Sequence, residues 1–512
     1  MEKEQSHKTE PGTDERKKQR DDVADVIARQ PLDTVFSKLR LVLMLTWPAI
    51  LAQMSMVVME YIDAAMVGSL GAVAAAGIGL VSTTTWLFWG LGIAVGTGYA
   101  VQVAHQIGAD DNTAARQTLR QSVVVIGAVG IVLDVIGIAI ADGLPRWLGG
   151  NSEVCAQATG YFRLFIASLP FMMLSYLASS MLRSAGNMVL PGLMNVAMCV
   201  LDVVFNFFLI YETRDVTVLG TQFRIWGAGL GVQGAALGSA AAFCVGGMYM
   251  WWWIVKRSRR LSHAFSHKYC RHWYSLRSTT VRRAASISWP IAVERTVMCG
   301  AQILITAIVA PLGTAAIAAN SFAITAESLC YTPGYGVGDA ATTLVGQSLG
   351  AGRRELARSF GRIAIAMGMG VMTALGVVMW LLAPEMMALF TPDVDVQSLG
   401  VMALRTEAWA EPMFGAAIVT YCVFIGAGYT KVPATVNFSS MWLVRLTLSA
   451  LLATEYGLFG VWLAMAIELS VRGLAFLCLF RWSRWLTRGR RDENVPDELA
   501  HDPSAADTPD VL

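Results

Sequence analysis

The strongest constraint on this chain is a pattern that occurs twice. Residues 47–76 read WPAILAQMSMVVMEYIDAAMVGSLGAVAAA, an apolar segment with Pro48 in its first turns and Glu60 and Asp63 toward its end. From Trp289 the sequence reads WPIAVERTVMCGAQILITAIVAPLGTAAIAAN, and a shift of 242 carries Pro48 onto Pro290 and Gly71 onto Gly313. The same shift joins Arg163 to Arg405, Pro170 to Pro412, Gly186 to Gly428, Pro191 to Pro433 and Asn195 to Asn437, while Gln106 and Gln347 need 241. Gly231 and Gly457 are 226 apart, so the first half carries a longer loop around Tyr211 to Gly229. Chance does not keep a register across so many landmarks. The charges do not repeat: Ile305 stands opposite Asp63, and Ala52 opposite Glu294.

Apolar segments of this kind dominate the chain. Of 512 residues 55% are hydrophobic and 15% charged, with a mean hydropathy of +0.51, which a water-soluble chain of this size would struggle to hide in its core. A membrane-crossing helix needs about 20 mainly apolar residues. Boundaries at charges and Gly/Pro clusters then give about twelve spans, at about 41–67, 72–105, 118–141, 157–182, 190–211, 229–255, 288–311, 314–347, 360–390, 400–426, 432–454 and 457–481. The expected fold is an all-α polytopic membrane protein whose two six-helix lobes are related by a pseudo-two-fold axis along the membrane normal, with a cavity between them. Residues 1–40 form an N-terminal tail with a short helix at the membrane surface, 41–255 the first lobe, 256–287 a basic linker, 288–482 the second lobe and 483–512 a C-terminal tail. Gly90, Gly92, Gly96 and Gly98 in the second span, and Gly334, Gly336 and Gly338 in the eighth, predict bends or unwinding.

Lys and Arg accumulate in the linker (Lys256 to Arg283), between spans eight and nine (Arg353, Arg354, Arg358) and after span twelve (Arg484 to Arg491). With an even number of spans these segments share a side, which places both termini in the cytoplasm of an inner (plasma) membrane protein. The N-terminus lacks the apolar core of a signal peptide. Scattered cysteines without CxxC argue against a disulfide framework. Cys270 falls near His263, His267 and His272, but in a basic loop without zinc-motif spacing. No GxxxxGK[ST] loop supports ATP-driven export, no HExxH or nucleophile elbow supports an enzyme, and the expected surroundings are a lipid bilayer rather than nucleic acid.

A carboxylate deep in an apolar span costs about 2.5–3.5 kcal/mol on insertion scales, so it faces a cavity or a partner. Asp63 is therefore a functional-site candidate by default. In VLDVVFNFFLIY, Asp202 and Asn206 lie one helical turn apart on one face. Two carboxylates in a low-dielectric cavity do not both ionise cheaply, which makes a proton site. With an amide and a hydroxyl they also form an all-oxygen shell suited to a hard cation, so sodium is equally constructible. The second half carries Glu294, Glu327, Asp339, Glu407 and Glu411. Glu468 and Arg472, four apart, read as a structural ion pair, and Arg163 and Arg405 as snorkelling or interface arginines. Met54, Met56, Trp86, Trp89, Phe205, Phe207 and Tyr331 supply thioethers and rings suited to large apolar cations.

The segments GTGYAVQVAHQIGADDNTAAR, GVGDAATTLVGQSLGAGRRELAR, SAGNMVLPGLMN and GAGYTKVPATVN resemble those of the multidrug and toxic compound extrusion (MATE) transporters, over about residues 40–482. PIAVE at Pro290 and TAESLCYTPGYGVGDAATTLVGQSLGAG look most like the DinF-type branch. The resemblance implies a V of two six-helix lobes that exports organic cations or amphipathic drugs in exchange for H⁺ or Na⁺, as a monomer and without a further cofactor. It implies that Asp63 is the coupling-ion aspartate, Pro48 a hinge, and Asp202, Asn206 and Ser239 the rest of that site. Relatives with a known ion site carry Asn before Asp in the fifth helix, and here the order is reversed. The cavity candidates are Glu294, Glu327, Tyr331, Asp339 and Glu411. Glu294 stands four residues after Pro290, where some branches carry their glutamate at the position of Met298, and Phe414 falls near the tenth-helix aspartate of the sodium-driven branch. A lipid-linked oligosaccharide flippase is the alternative, although the intramembrane carboxylates outnumber the arginines. A channel is disfavoured by the hinge prolines and glycines.

Overall fold

The computed structural model describes residues 23–29, 32, 34–218, 221–262, 264, 265, 277–483 and 485–488. A short helix, α1 (Val23–Arg29), comes first. In the first half α2 (Val35–Gly68), α3 (Ala72–Gly108), α4 (Asn112–Ile140), α5 (Ser152–Ser184), α6 (Val189–Leu209) and α7 (Val232–Arg257) follow in succession. The second half holds α8 (Ser278–Val309), α9 (Thr314–Gly350), α10 (Arg354–Phe390), α11 (Val394–Glu407) and α12 (Glu411–Gly426). Then α13 (Lys431–Ser439) runs through a π-turn at Ser440–Arg445 into α14 (Leu446–Trp482), and α15 (Trp485–Arg488) follows. Several starts are set by side-chain caps: Thr34, Asp111, Asn151 and Asp393 each accept a bond from a backbone N–H of the first turn, satisfying donors that a helix start leaves free.

These helices make twelve spans. Eight stretches are long and apolar enough to cross a bilayer alone, and α11 with α12 makes a ninth, bent by 61°. The 52-residue stretch Lys431–Trp482 is two spans, because Gly457 leaves helical geometry in its middle with φ 58°. The small and polar residues of α7 and α9 lower their hydropathy, but both are long and complete the set. The span expected as one helix at 400–426 is broken where Pro412, with no N–H to donate, opens α12.

The repeat is written in the backbone. Gly71 and Gly313 have φ 112° and 102°, Gly186 and Gly428 85° and 72°, and Gly231 and Gly457 56° and 58°. Asp110, the single non-glycine residue with positive φ (60°) among the described residues, is matched by Gly352 at 73°. Equivalent turns in both halves use the same left-handed step.

The glycine-rich stretches do not unwind: α3 and α9 are unbroken helices. Their glycines are points of close approach instead. A Cβ at Gly98 would strike Ser288 and the Ala284 carbonyl of α8, and one at Gly336 would strike the Ile50 backbone of α2. Each thus lets a helix of one lobe lie against a helix of the other.

Packing divides the molecule along its height. Arg116, Arg257, Arg260, Arg283, Arg353 and Arg354 mark one end, while Asp142, Glu153, Asp393, Asp395 and Glu455 mark the other. Toward the basic end one large apolar cluster draws on both halves, with Leu45, Ala49 and Val101 beside Leu344, Phe360 and Phe424. Elsewhere each lobe has a core of its own, around Phe162 and Ile126 in the first and Leu404 and Trp462 in the second. The lobes are therefore fused at the basic end. The helix ahead of the first span packs its apolar residues into the protein, with Val23, Ala24 and Ile27 5%, 2% and 0% exposed. The long loop of the first half is an antiparallel hairpin, β1 (Glu212–Val218) with β2 (Thr221–Ala228). The seven described cysteines are free; His263, His267, Cys270, His272 and most of both tails lie outside the described residues.

Candidate functional site

Within the first lobe three helices converge on one amide. Asp202 and Asn206 sit one turn apart on α6, both fully buried, and Asp63 projects from α2 toward them. Asn206 Nδ2 donates to Asp63 Oδ1 at 2.6 Å and to Asp202 Oδ2 at 3.0 Å. Ser239 of α7 brings its Oγ to 3.4 Å from Asp63 Oδ2. Next to it, Gly238 has no side chain where a Cβ would fall on Asn206 Oδ1. That glycine makes the room in which the amide turns.

This set is short of positive charge. Its hydrogen bonds come from an amide and a hydroxyl, while Asp202 Oδ1 and Asn206 Oδ1 are buried without a hydrogen-bond partner among the described residues. Buried acceptors of this kind are costly unless something fills them. Two carboxylates, an amide oxygen and a hydroxyl, all oxygen, fit either a proton shared between the acids or a hard monovalent cation. The reversed order of Asp and Asn costs nothing visible, because a single Asn bridges both acids.

The remainder of α2 is bonded to the other lobe. Gln53 donates to Asp339 Oδ2 of α9 at 3.0 Å, and Tyr61 donates to the Thr325 carbonyl and lies 2.9 Å from Ser328 Oγ. Asp339 also pairs with Arg183 of α5 at 3.3 Å. The helix contains Pro48, which deprives its own turn of one backbone bond without breaking the helix. A Cβ at Gly192 of α6 would meet the Pro48 carbonyl. One helix thus touches the acid pair and holds the interlobe seam.

The second-lobe candidates are placed elsewhere. Glu294 of α8 is buried and accepts from the Tyr421 hydroxyl and from Asn437 at 2.6 Å; Asn437 is the residue that the repeat pairs with Asn195. Glu327, Glu407 and Glu411 lie within electrostatic reach of one another inside the lobe, 3%, 0% and 0% exposed. Neither oxygen of Glu411 has a hydrogen-bond partner among the described residues, and Glu407 faces Glu327. Near them Glu468 accepts from Ser440 at 2.6 Å and pairs with Arg472 at 3.2 Å, as its spacing predicts. Tyr331 packs its ring 5.7 Å from Phe414 and 6.0 Å from Tyr335. Asp339 is spent in an interlobe ion pair. Glu294, Glu327 and Glu411 are thus interior groups of the second lobe, apart from the Asp63 set.

Sequence reasoning passed over two residues. Glu60 is exposed on α2, makes no hydrogen bond or ion pair among the described residues, and lies within electrostatic reach of Tyr161 in one lobe and Tyr331 in the other. Its signal was a second carboxylate three residues before Asp63 in the same apolar span. Arg445 closes the π-turn, 9% exposed, with Nη2 2.7 Å from Met465 Sδ. An arginine inside MWLVRLTLSALLA could have been read as a buried charge seeking acids. Arg163 and Arg405 are boundary residues: the first holds both oxygens of Asp142 at 2.6 and 2.7 Å, the second lies 5.0 Å over the ring of Trp380.

Comparison with known proteins agrees with this layout. The MatE family model matches residues 48–208 and 290–451, two segments that begin 242 residues apart. A probable multidrug resistance protein NorM of Thermotoga maritima is 24% identical over 450 residues, covering 84% of this chain and 90% of that protein. Its namesake in Pseudomonas aeruginosa is 27% identical over 460 residues, covering 87% and 89%. Among solved structures, the bent form of the Vibrio cholerae MATE transporter VcmN superposes with a TM-score of 0.77 at 20% identity, covering 89% of this chain and 99% of that one. An outward-facing multidrug resistance MATE transporter reaches 0.80 at 20% identity, covering 89% and 97%. At these identities the structures speak for the fold.

Proposed function

The chain belongs to the MatE family of multidrug and toxic compound extrusion transporters, and from that premise we propose that it exports organic cations or amphipathic drugs in exchange for H⁺ or Na⁺ by alternating access. The basic end is then cytoplasmic, following the bias of Lys and Arg. Fusion of the lobes at that end, with separate cores beyond it bridged by Tyr61 of α2, is the basis for reading the state as outward-facing.

One observation carries the reading: α2 presents Asp63 to a cation-deficient oxygen set in its own lobe and, through Gln53 and Tyr61, holds the opposite lobe. A proton or sodium ion arriving at Asp63, Asp202 and Asn206 neutralises one charge of the acid pair and weakens the claim of Asp63 on the Asn206 amide. The helix is then free to move at Pro48, its least bonded turn, and the seam moves with it. Glu60, an exposed carboxylate within electrostatic reach of Tyr161 and Tyr331, supplies a negative charge that attracts an organic cation. Ion and drug thus meet different carboxylates of one helix, and each weakens the hold on the other. That reciprocity is what coupled exchange requires.

The test is efflux of tetraphenylphosphonium and ethidium from proteoliposomes under imposed pH or sodium gradients, with proton and sodium flux followed in the same vesicles. The parent should move drug only against a gradient of its coupling ion, and the flux identifies that ion. Equal ion-driven transport by the parent and Asp63→Asn would sink the mechanism.

A further inference from the structure

Helix α1 has no counterpart in the second half among the described residues. At seven residues it is too short to hold its own conformation in water, yet Val23, Ala24, Ile27 and the following Leu32 are 5%, 2%, 0% and 6% exposed. Tertiary contacts therefore keep it helical. Val23, Ile27 and Leu32 join the apolar cluster shared by both lobes, and Ala24 joins the first lobe's own cluster with Ile107 and Leu261.

Its polar anchors reach the loops of both lobes. Asp25 accepts from Arg259 at 3.1 Å and from Arg260 at 2.9 Å, just beyond α7. Arg260, 6% exposed, also holds Asp110 at 3.1 Å, in the turn after α3. Val23 sits where a Cβ at Gly186, in the turn after α5, would strike it. On the other side Arg353, in the turn after α9 of the second lobe, donates to the Ile27 carbonyl. One short helix is tied to three turns of the first lobe and one of the second, at the end where the lobes meet. If that end parts, α1 cannot stay with both.

We infer that α1 is a latch that holds the basic end closed, and that the inward-open state requires its release. The inference rests on the alternating-access reading above. Release exposes Ile27, ends the contact from Arg353 and breaks the Asp25 pairs with Arg259 and Arg260. The latch thus sets how often the basic end opens, without touching the ion site or Glu60.

The test uses full-length protein with its native cysteines replaced and spin labels at Thr113→Cys and Glu355→Cys, exposed positions at the starts of α4 and α10 that the repeat makes equivalent. Distances between them are measured in nanodiscs with and without tetraphenylphosphonium. In the parent the closed distance should dominate, with a minor longer one. Asp25→Asn should raise the odds of the longer distance roughly tenfold, as loss of a partly buried charged anchor does. Ile27→Asp should raise them further, and Asp25→Glu should restore the parent distribution, which a mere folding lesion would not. If Ile27→Asp does not fold, Asp25→Asn and Asp25→Glu decide alone. Unchanged distances in folded Asp25→Asn overturn the latch while leaving the exchange reading intact. A basic end that opens in no variant, with or without drug, overturns both.

Discussion

The two lobes share a backbone but handle buried charge in opposite ways. In the first, Asp63 and Asp202 are joined through one neutral amide, with no guanidinium or ammonium among their hydrogen bonds. In the second, Glu327, Glu407, Glu411 and Glu468 share their interior with Arg445 and Arg472. The first-lobe set holds no cation of its own, whereas the second sets two arginines among four glutamates and still leaves Glu411 without a hydrogen-bond partner among the described residues. An internal ion pair is expensive to break and does little when left alone. Equal scaffolds thus hold one acid set bridged by a neutral amide and one interleaved with arginines.

The largest test of that contrast is Glu468→Gln. Removing one partner of a buried pair breaks the salt bridge to Arg472 and should cost about 3–5 kcal/mol of stability, read as lower Tm in detergent, with exchange per folded molecule retained. Normal Tm with abolished exchange would move the second lobe into the coupling machinery. Asp63→Asn should do the reverse: unchanged Tm with ion-driven drug efflux reduced about 100-fold, toward the upper end of coupling between sites. Asn206→Ala removes the bridge and leaves two acids facing each other, so efflux should fall about tenfold, and Asn206→Gln should not rescue it because Gly238 leaves room for the shorter amide only. The smallest effect belongs to Arg163→Gln at the exposed pair with Asp142, at most about 1 kcal/mol and weaker in high salt.

Much of the fold was legible because two signals are nearly independent of tertiary detail, the length of apolar runs and the 242-residue register. Gly457 could be read as a boundary because only a break separates two spans so close in sequence. The split of the tenth span was not read, since Pro412 by itself fits either a kink or a helix start. Nor was the hairpin, although ETRDVTV and TQFRIWGA contain the β-branched and aromatic residues of strands. The first-lobe set was legible because Asp202 and Asn206 lie one turn apart and Asp63 has nothing to pair with on its own helix. For Glu294, Glu327 and Glu411 the sequence offered burial but no direction. Which way they face is decided by partners far along the chain, such as Asn437, 143 residues on, for Glu294.

Asp110 holds a backbone conformation that its repeat partner leaves to glycine, at a cost of about 1–2 kcal/mol for a residue with a side chain. Its carboxylate, in return, steadies Arg260 beneath the N-terminal helix. Replacement by glycine should therefore relax the turn and loosen the gate together, so a thermal-shift screen would score as an improvement a variant that had lost part of its control over traffic.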